Sequence, residues 1–364
     1  MMRLLKFFKA YKLKNSQRSH KTGGFTLIEL LVGMILVSLI ITPLLGLVIN
    51  MMDTDRKEQA KATSEQEIQA ALDYIARDLD QAFFIYDGLG LSNIKARLPQ
   101  VANANLGAQG EPVLVFWKRE FLPNSVPLSG RNITQCANND PGNNCDDGFV
   151  YSLVGYYLIK DANCINSSWS CTTRISRIEL KDALYNVNNP NTNTNRTPLI
   201  AGYEASDGLV PIEQLLEQAG SLEEQLTIWP TNINWTKAQR SATYNYGQTQ
   251  FVTLIDYIDQ TPGSSIAPQP ACSTAPRPGV GNPPYPSRQV PDPTTVVAGF
   301  PIDSFYACVS TDQTVAQVFI RGNALARIRP KNPPPVYAAN QSSYFPRASI
   351  QAQGSGLLNV NPSQ

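Results

Sequence analysis

The spacing of apolar and polar residues changes character within the first ninety positions. From Phe25 to Met52 the chain reads FTLIELLVGMILVSLIITPLLGLVINMM, and Glu29 is its only charge. An apolar run of this length predicts a helix able to cross a hydrocarbon core about 30 Å thick. From Asp53 onward the pattern becomes amphipathic. Ile68, Leu72, Ile75, Leu79 and Phe83 recur at three- or four-residue spacing and form one apolar stripe. Glu58, Lys61, Glu65, Arg77 and Asp78 are assigned to the other faces. Neither Pro nor Gly occurs between Asp53 and Asp87, and the DGLG at 87–90 is expected to stop the helix. A nearly continuous helix from Phe25 to about Phe84 would be ~90 Å long. Pro43 and Gly46 interrupt the apolar half. Proline removes a backbone donor and crowds the preceding turn, so a break or locally melted turn is expected there.

Beyond position 90 the pattern shortens to β-like runs separated by turn-rich insertions. PVLVFWKRE at 112–120, GFVYSLVGYYLIKD at 148–161, CTTRISRIEL at 171–180, FVTLIDYI at 251–258 and VAQVFIRGNAL at 315–325 are rich in aromatic and β-branched residues. PIEQLLEQAGSLEEQL at 211–226 predicts a short helical insert interrupted at Gly220. The stretches 131–147, 186–198, 260–293 and 331–346 are dense in Asn, Pro and Gly and read as loops. The predicted architecture is α+β, a long N-terminal helix on one face of a mainly antiparallel sheet. Four segments follow: a basic leader at 1–24, the apolar helix at 25–52, its amphipathic continuation at 53–86, and a β-rich body at 87–364.

Charge changes the picture at the N-terminus. Arg3, Lys6, Lys9, Lys12, Lys14, Arg18 and Lys21 precede the apolar run with no acid among them. A basic tail before an apolar span predicts a single-pass protein of the inner membrane, tail in the cytoplasm and body outside. A secretory signal would have a shorter apolar core followed by a small-residue cleavage site. Here the small residues, Gly23 and Gly24, come before the run, so a cut there would keep the helix and discard the tail. The formal net charge of +1 supplies no strong field for nucleic acid. All six cysteines, Cys136, Cys145, Cys164, Cys171, Cys272 and Cys308, follow the span and are candidates for disulfides in an oxidising compartment. Their pairing is open: four cysteines allow three pairings and six allow fifteen.

Catalytic chemistry finds little support. The single histidine, His20, lies in the leader, which disfavours a histidine triad or a thiolate–imidazole metal site in the body. No GxxxxGK[ST] occurs. Asp146 and Asp147 are adjacent, and Glu223 and Glu224 lie on the predicted insert, but neither pair shows the facing geometry of glycoside hydrolysis. Asp140 with Asp146 and Asp147 lacks calcium-loop spacing. Trp169, Trp229 and Trp235 are candidates either for stacking on sugars or for the core. No enzyme, cofactor or metal is expected.

The stretch GFTLIE at 24–29, with its basic leader and apolar helix, resembles the processing motif of type IV prepilins and type II secretion pseudopilins. The resemblance implies a pilin-like fold and cleavage after Gly24 by a prepilin peptidase. Phe25 becomes the new, methylated N-terminus and Glu29 the assembly residue. A carboxylate in hydrocarbon is costly unless something offsets its charge. The amine freed at Phe25, on a neighbouring subunit or on the same chain, is the implied partner. Pro43 departs from many major pilins, whose proline falls a few residues later. The order VFWKRE, VYSLVGYYLIK, TRISRIEL, VFIRGNAL resembles large minor pseudopilins of the J/W type. The Asn- and Pro-rich insertions resemble the cyanobacterial set linked to hormogonium polysaccharide secretion. Other major and minor pilins, an inner-membrane assembly platform and an exported polysaccharide are then the implied partners. Two functions are open. One is a minor subunit of a pilus or pseudopilus, at its tip or initiation complex, supporting polysaccharide export or motility. The other is a surface module on a pilin scaffold that captures glycan or DNA.

Overall fold

The computed structural model describes residues 24–104, 106–127, 145–184, 205–230, 241–263, 269–272, 287–297, 299–310 and 312–355. The chain divides after Asp55 into two units. One helix, α1 (Leu27–Leu79), begins in the first unit and ends in the second. In the first unit the large apolar side chains from Leu27 to Met52 are all exposed, and the 18-residue window that defines the span has mean hydropathy 2.6. Pro43 and Gly46 lie inside α1, which runs through both, so the break expected there is absent from this conformation.

In the second unit the remaining turns of α1 pack on sheet. Ile68, Leu72, Ile75 and Leu79 are all within 1% of full burial, as their periodicity predicts. Each fully buried side chain of this kind contributes roughly 1.5–3 kcal/mol. Gly322 lets the sheet approach this stripe: a Cβ there would meet Ile68 Cδ1 at 2.8 Å.

The helix stops earlier than its stripe suggests. α1 ends at Leu79, and Ala82–Ile85 form β1, so Phe83 lies on a strand. Pairing with β2 (Ala108–Pro127) decides this: Phe84 and Ile85 register with Trp117 and Phe116. A run of aromatic and β-branched residues with a strand beside it favours the pleated conformation over another helical turn. DGLG starts a second helix, α2 (Gly88–Ile94), where a stop is expected. The Asp87 side chain accepts from Gly90 N at 2.8 Å as its N-cap.

β1 and β2 are followed by β3 (Cys145–Asp161), β4 (Thr173–Lys181) and β5 (Val252–Ile258) in a five-stranded antiparallel sheet ordered as in sequence. The predicted run at 148–161 is thus one strand. A second antiparallel sheet holds β6 (Ser287–Val290), β7 (Phe305–Ser310), β8 (Val315–Arg321) and β9 (Arg347–Gln353), also in chain order. β6 falls in the proline-rich region read as a loop. It occupies a sheet edge, where neighbouring prolines are tolerated. The run at 315–325 ends as strand at Arg321 and turns into a short helix, Ala324–Ile328, capped by the Asn323 side chain. The insert at 211–226 forms two short helices, Ile212–Leu216 and Leu222–Thr227, parted at Gly220, whose φ is +124°.

Backbone bonds tie the two sheets together. Asp259 N donates to Arg321 O at 3.0 Å and Asn323 N to Tyr257 O at 2.7 Å, around an Ile258–Gly322 bridge. Elsewhere Ile85 N donates to Gln313 O at 2.9 Å. One apolar core therefore draws on α1, both sheets and the short helices.

Candidate functional site: the processing and assembly segment

Gly24, Phe25 and Thr26 precede the first turn of α1 as non-helical chain. Gly24 is exposed, with nothing within 4 Å of where a Cβ would stand, so a protease meets bare backbone at the expected cut. Phe25 is 82% exposed. Thr26 closes the helix start: Glu29 N donates to Thr26 O at 3.0 Å and lies 3.3 Å from Thr26 Oγ1. The Thr26 hydroxyl in turn donates to Glu29 Oε2 at 3.4 Å. This Thr-x-x-Glu arrangement resembles a capping box, and an acid in the first turn also suits the positive end of the helix dipole. Among the described residues, the Glu29 carboxylate has no other partner than Thr26.

The face that carries Glu29 continues through Gly33, Val37 and Ile41 at four-residue spacing. Polar side chains along the apolar helix satisfy themselves locally. Ser38 Oγ donates to Ile35 O at 2.9 Å and Thr42 Oγ1 to Ser38 O at 2.7 Å. Such back-bonding lets a hydroxyl lie in an apolar setting without an unmet donor.

The residues weighed for body chemistry disperse. Asp147 accepts from Asn124 N and Asp146 from Asp147 N, each at 2.9 Å, so both carboxylates serve a local turn. Glu224 completes a capping box with Ser221. Trp229 is buried and donates to Leu226 O at 2.9 Å. Trp169 is 42% exposed, with the Arg174 guanidinium 5.4 Å above its ring. His20, Asp140 and Trp235 lie outside the described residues. Cys164 pairs with Cys171 and Cys272 with Cys308. Cys145 is disulfide-bonded, and Cys136 lies outside the described residues.

Sequence reasoning misplaced one charged residue. Asp78 is not on a solvated face; it is 8% exposed at the end of the stripe. It accepts from Arg177 Nε at 2.6 Å and from Tyr156 Oη at 2.7 Å, and Lys118 Nζ lies 3.3 Å away. Lys118 and Arg177 each also pair with Glu179 at 3.0 Å. Burial pushes the Asp78 and Glu179 carboxyls up, but the two cations outweigh it and hold both below their usual range. The same partners occupy both acids, so the cluster is a brace between helix and sheet. The legible signal was position: Asp78 stands three residues after Ile75, within the stripe's own spacing.

The prokaryotic N-terminal methylation motif matches the chain over residues 19–45. No curated protein and no solved structure matches the chain. The motif implies processing by a prepilin peptidase and assembly with other pilins, and it marks a structural rather than an enzymatic class. Motif and apolar helix together fit membrane anchoring followed by incorporation into a filament. With that motif heading a long helix packed on antiparallel sheets, the chain is similar at its N-terminus to type IV pilins and pseudopilins, and its α+β fold is consistent with theirs.

Proposed function

We propose that this chain is a minor pilin or pseudopilin subunit that enters a filament at its tip or initiation complex and supports polysaccharide export or motility. One observation carries the assembly reading: a lone carboxylate, Glu29, heads a wholly exposed apolar helix immediately after an exposed Gly24–Phe25 bond. Cleavage at that bond creates an amine about one helical turn from Glu29. A neighbouring subunit's amine can then neutralise Glu29 as the apolar helices pack side by side. The inner-membrane platform adds the processed subunit, and the β-rich body faces outward. The bulky body, with its long Asn- and Pro-rich insertions in sequence, suits a terminal position better than a repeating one.

The mass of the mature N-terminus tests the first step. A chain beginning at Phe25, one methyl heavier than the free amine, is expected. An assembled, functional protein that retains Met1 through Gly24 would overturn the reading. Quantification of subunits in isolated filaments tests the position. A few copies per filament are expected, and a dominant, evenly spaced subunit would exclude the tip.

A further inference from the structure

The second sheet carries a cavity of about 260 Å³ that the assembly role does not use. Its wall is a cross-strand ladder. Tyr306 on β7 registers with Phe319 on β8, and Phe319 with Ser349 on β9. Arg321 and Arg347 register two positions along and so lie on the same face. Tyr306 and Phe319 stack nearly parallel, ring centroids 4.7 Å apart with 8° between planes. Tyr306 is buried and Phe319 half-buried, so Phe319 forms the outer plate. Asp303 and Ser304 close another side.

The polar groups around the cavity come in opposite kinds. Arg321 Nε donates to Asp259 Oδ2 at 2.8 Å, while its Nη2 is buried without a hydrogen-bond partner among the described residues. Gln269, also in the wall, has its Oε1 buried without one among the described residues. One donor and one acceptor are thus unmet, a pattern that native proteins usually resolve. A hydroxyl group supplies both complements, since it donates once and accepts twice. The charges balance as well: two guanidiniums, Arg321 and Arg347, stand with two carboxyls, Asp259 and Asp303. No net field selects an anion or a cation. The volume lies below the range of drug-sized pockets and admits one ring.

We infer that this cavity binds a single neutral pyranose unit, its flat C–H face on Phe319 and its hydroxyls between the arginines, Asp303 and Gln269. Burial raises the Asp303 carboxyl, with Asp259 adding to it against Arg321 and the Gly263 N–H. The site is independent of the filament reading: it asks nothing of Gly24 or Glu29.

The test uses the full chain in a zwitterionic detergent free of sugar, with methyl glycosides of glucose, galactose and mannose as probes. Saturation-transfer NMR titration is expected to give a dissociation constant on the order of 1–10 mM for at least one of them, as ordinary ligand efficiency allows for about a dozen heavy atoms. Phe319→Ala and Arg347→Gln should each weaken binding about tenfold with unchanged far-UV circular dichroism. Arg347 is exposed, so its substitution keeps the test valid if Phe319→Ala unfolds. Absence of transfer to all three glycosides would overturn the inference. So would affinity unchanged in Arg347→Gln, or tighter binding of glucuronate or inorganic phosphate. Filament incorporation of Arg347→Gln should match the unsubstituted chain, which separates this site's failure from that of the assembly reading.

Discussion

Arg177 on β4 grips Asp78 on the last turn of α1 with both ends of its guanidinium, Nε to Oδ2 at 2.6 Å and Nη2 to Oδ1 at 3.2 Å. A planar fork of this kind fixes direction as well as distance. The apolar stripe allows α1 to slide or rotate slightly on the sheet, whereas the fork admits one register. Tyr156 and Lys118 approach the same carboxylate from β3 and β2, so three adjacent strands converge on one helical position.

Removing the acid should leave buried cations short of a partner. Asp78→Ala is expected to destabilise the chain by about 3 kcal/mol, the lower part of the range for breaking a buried pair, because Glu179 still serves Lys118 and Arg177. Thermal or urea unfolding of the full chain in detergent measures this. The double substitution Asp78→Leu with Arg177→Met should recover much of the loss, since an apolar pair of similar volume needs no neutralisation. Failure of that recovery would assign the brace a role beyond charge pairing.

The same cluster sets an acid limb. Asp78 and Glu179 are held below their ordinary values of 3.8 and 4.5. The unfolded chain therefore takes up protons first as pH falls, and native stability drops with it. The contribution is fully present above about pH 5 and is lost as pH falls through the folded values, below about pH 4. Glu111 acts in the opposite sense. Burial raises it despite its contact with Lys95, so its ionisation near neutral pH detracts from stability and its protonation restores some. Melting temperature against pH should be flat near neutrality and fall below about pH 4, with a shallower fall in Asp78→Asn.

The two described disulfides should differ in effect. Cys272–Cys308 closes a separation of 36 residues and Cys164–Cys171 one of 7. Loop-closure entropy sets upper values of roughly 4 and roughly 2.5 kcal/mol. Cys272→Ala with Cys308→Ala should therefore lower the melting temperature more than Cys164→Ala with Cys171→Ala. An inverse order would show that local strain, not chain entropy, governs them.

Glu29 should matter to assembly and not to folding. Its side chain meets only Thr26 among the described residues, and no body residue depends on it. Glu29→Ala is expected to keep cleavage at Phe25 and the melting temperature of the body, while cutting filament incorporation at least tenfold, in line with an unneutralised amine in hydrocarbon. Pull-down of sheared filaments against the membrane fraction reads it. Unchanged incorporation would remove Glu29 from the mechanism.

The elements legible in the sequence were those whose physics is local. Ile68, Leu72, Ile75 and Leu79 announce a packed helix face by spacing alone, and all four are buried. β2, β3, β4, β5 and β8 appear as runs long and apolar enough to stand out from their loops. β1, β6, β7 and β9 were not legible. FYACVS at 305–310 is fully buried along its length but is short and interrupted by small residues. RASIQAQ at 347–353 is mostly polar and pairs because β8 lies beside it. Phe83 and Phe84 continued a helical spacing until a strand partner claimed them.

GGFTLIELLV by itself set the expectations of where the chain is cut, where an apolar helix able to cross a membrane begins and which acid awaits a partner. Leader charge, small residues and an apolar run would act in sequence order on a protease and a bilayer, and neither needs a folded body. Asp78 is the counterexample. Its sequence context placed it among solvated charges, and only the convergence of β2, β3 and β4 on α1 made it the centre of a brace. The cavity beside Phe319 likewise exists only because β7, β8 and β9 stand in one register. Burial and pairing depend on what lies across a sheet or under a helix, and residues far apart in the chain decide that together.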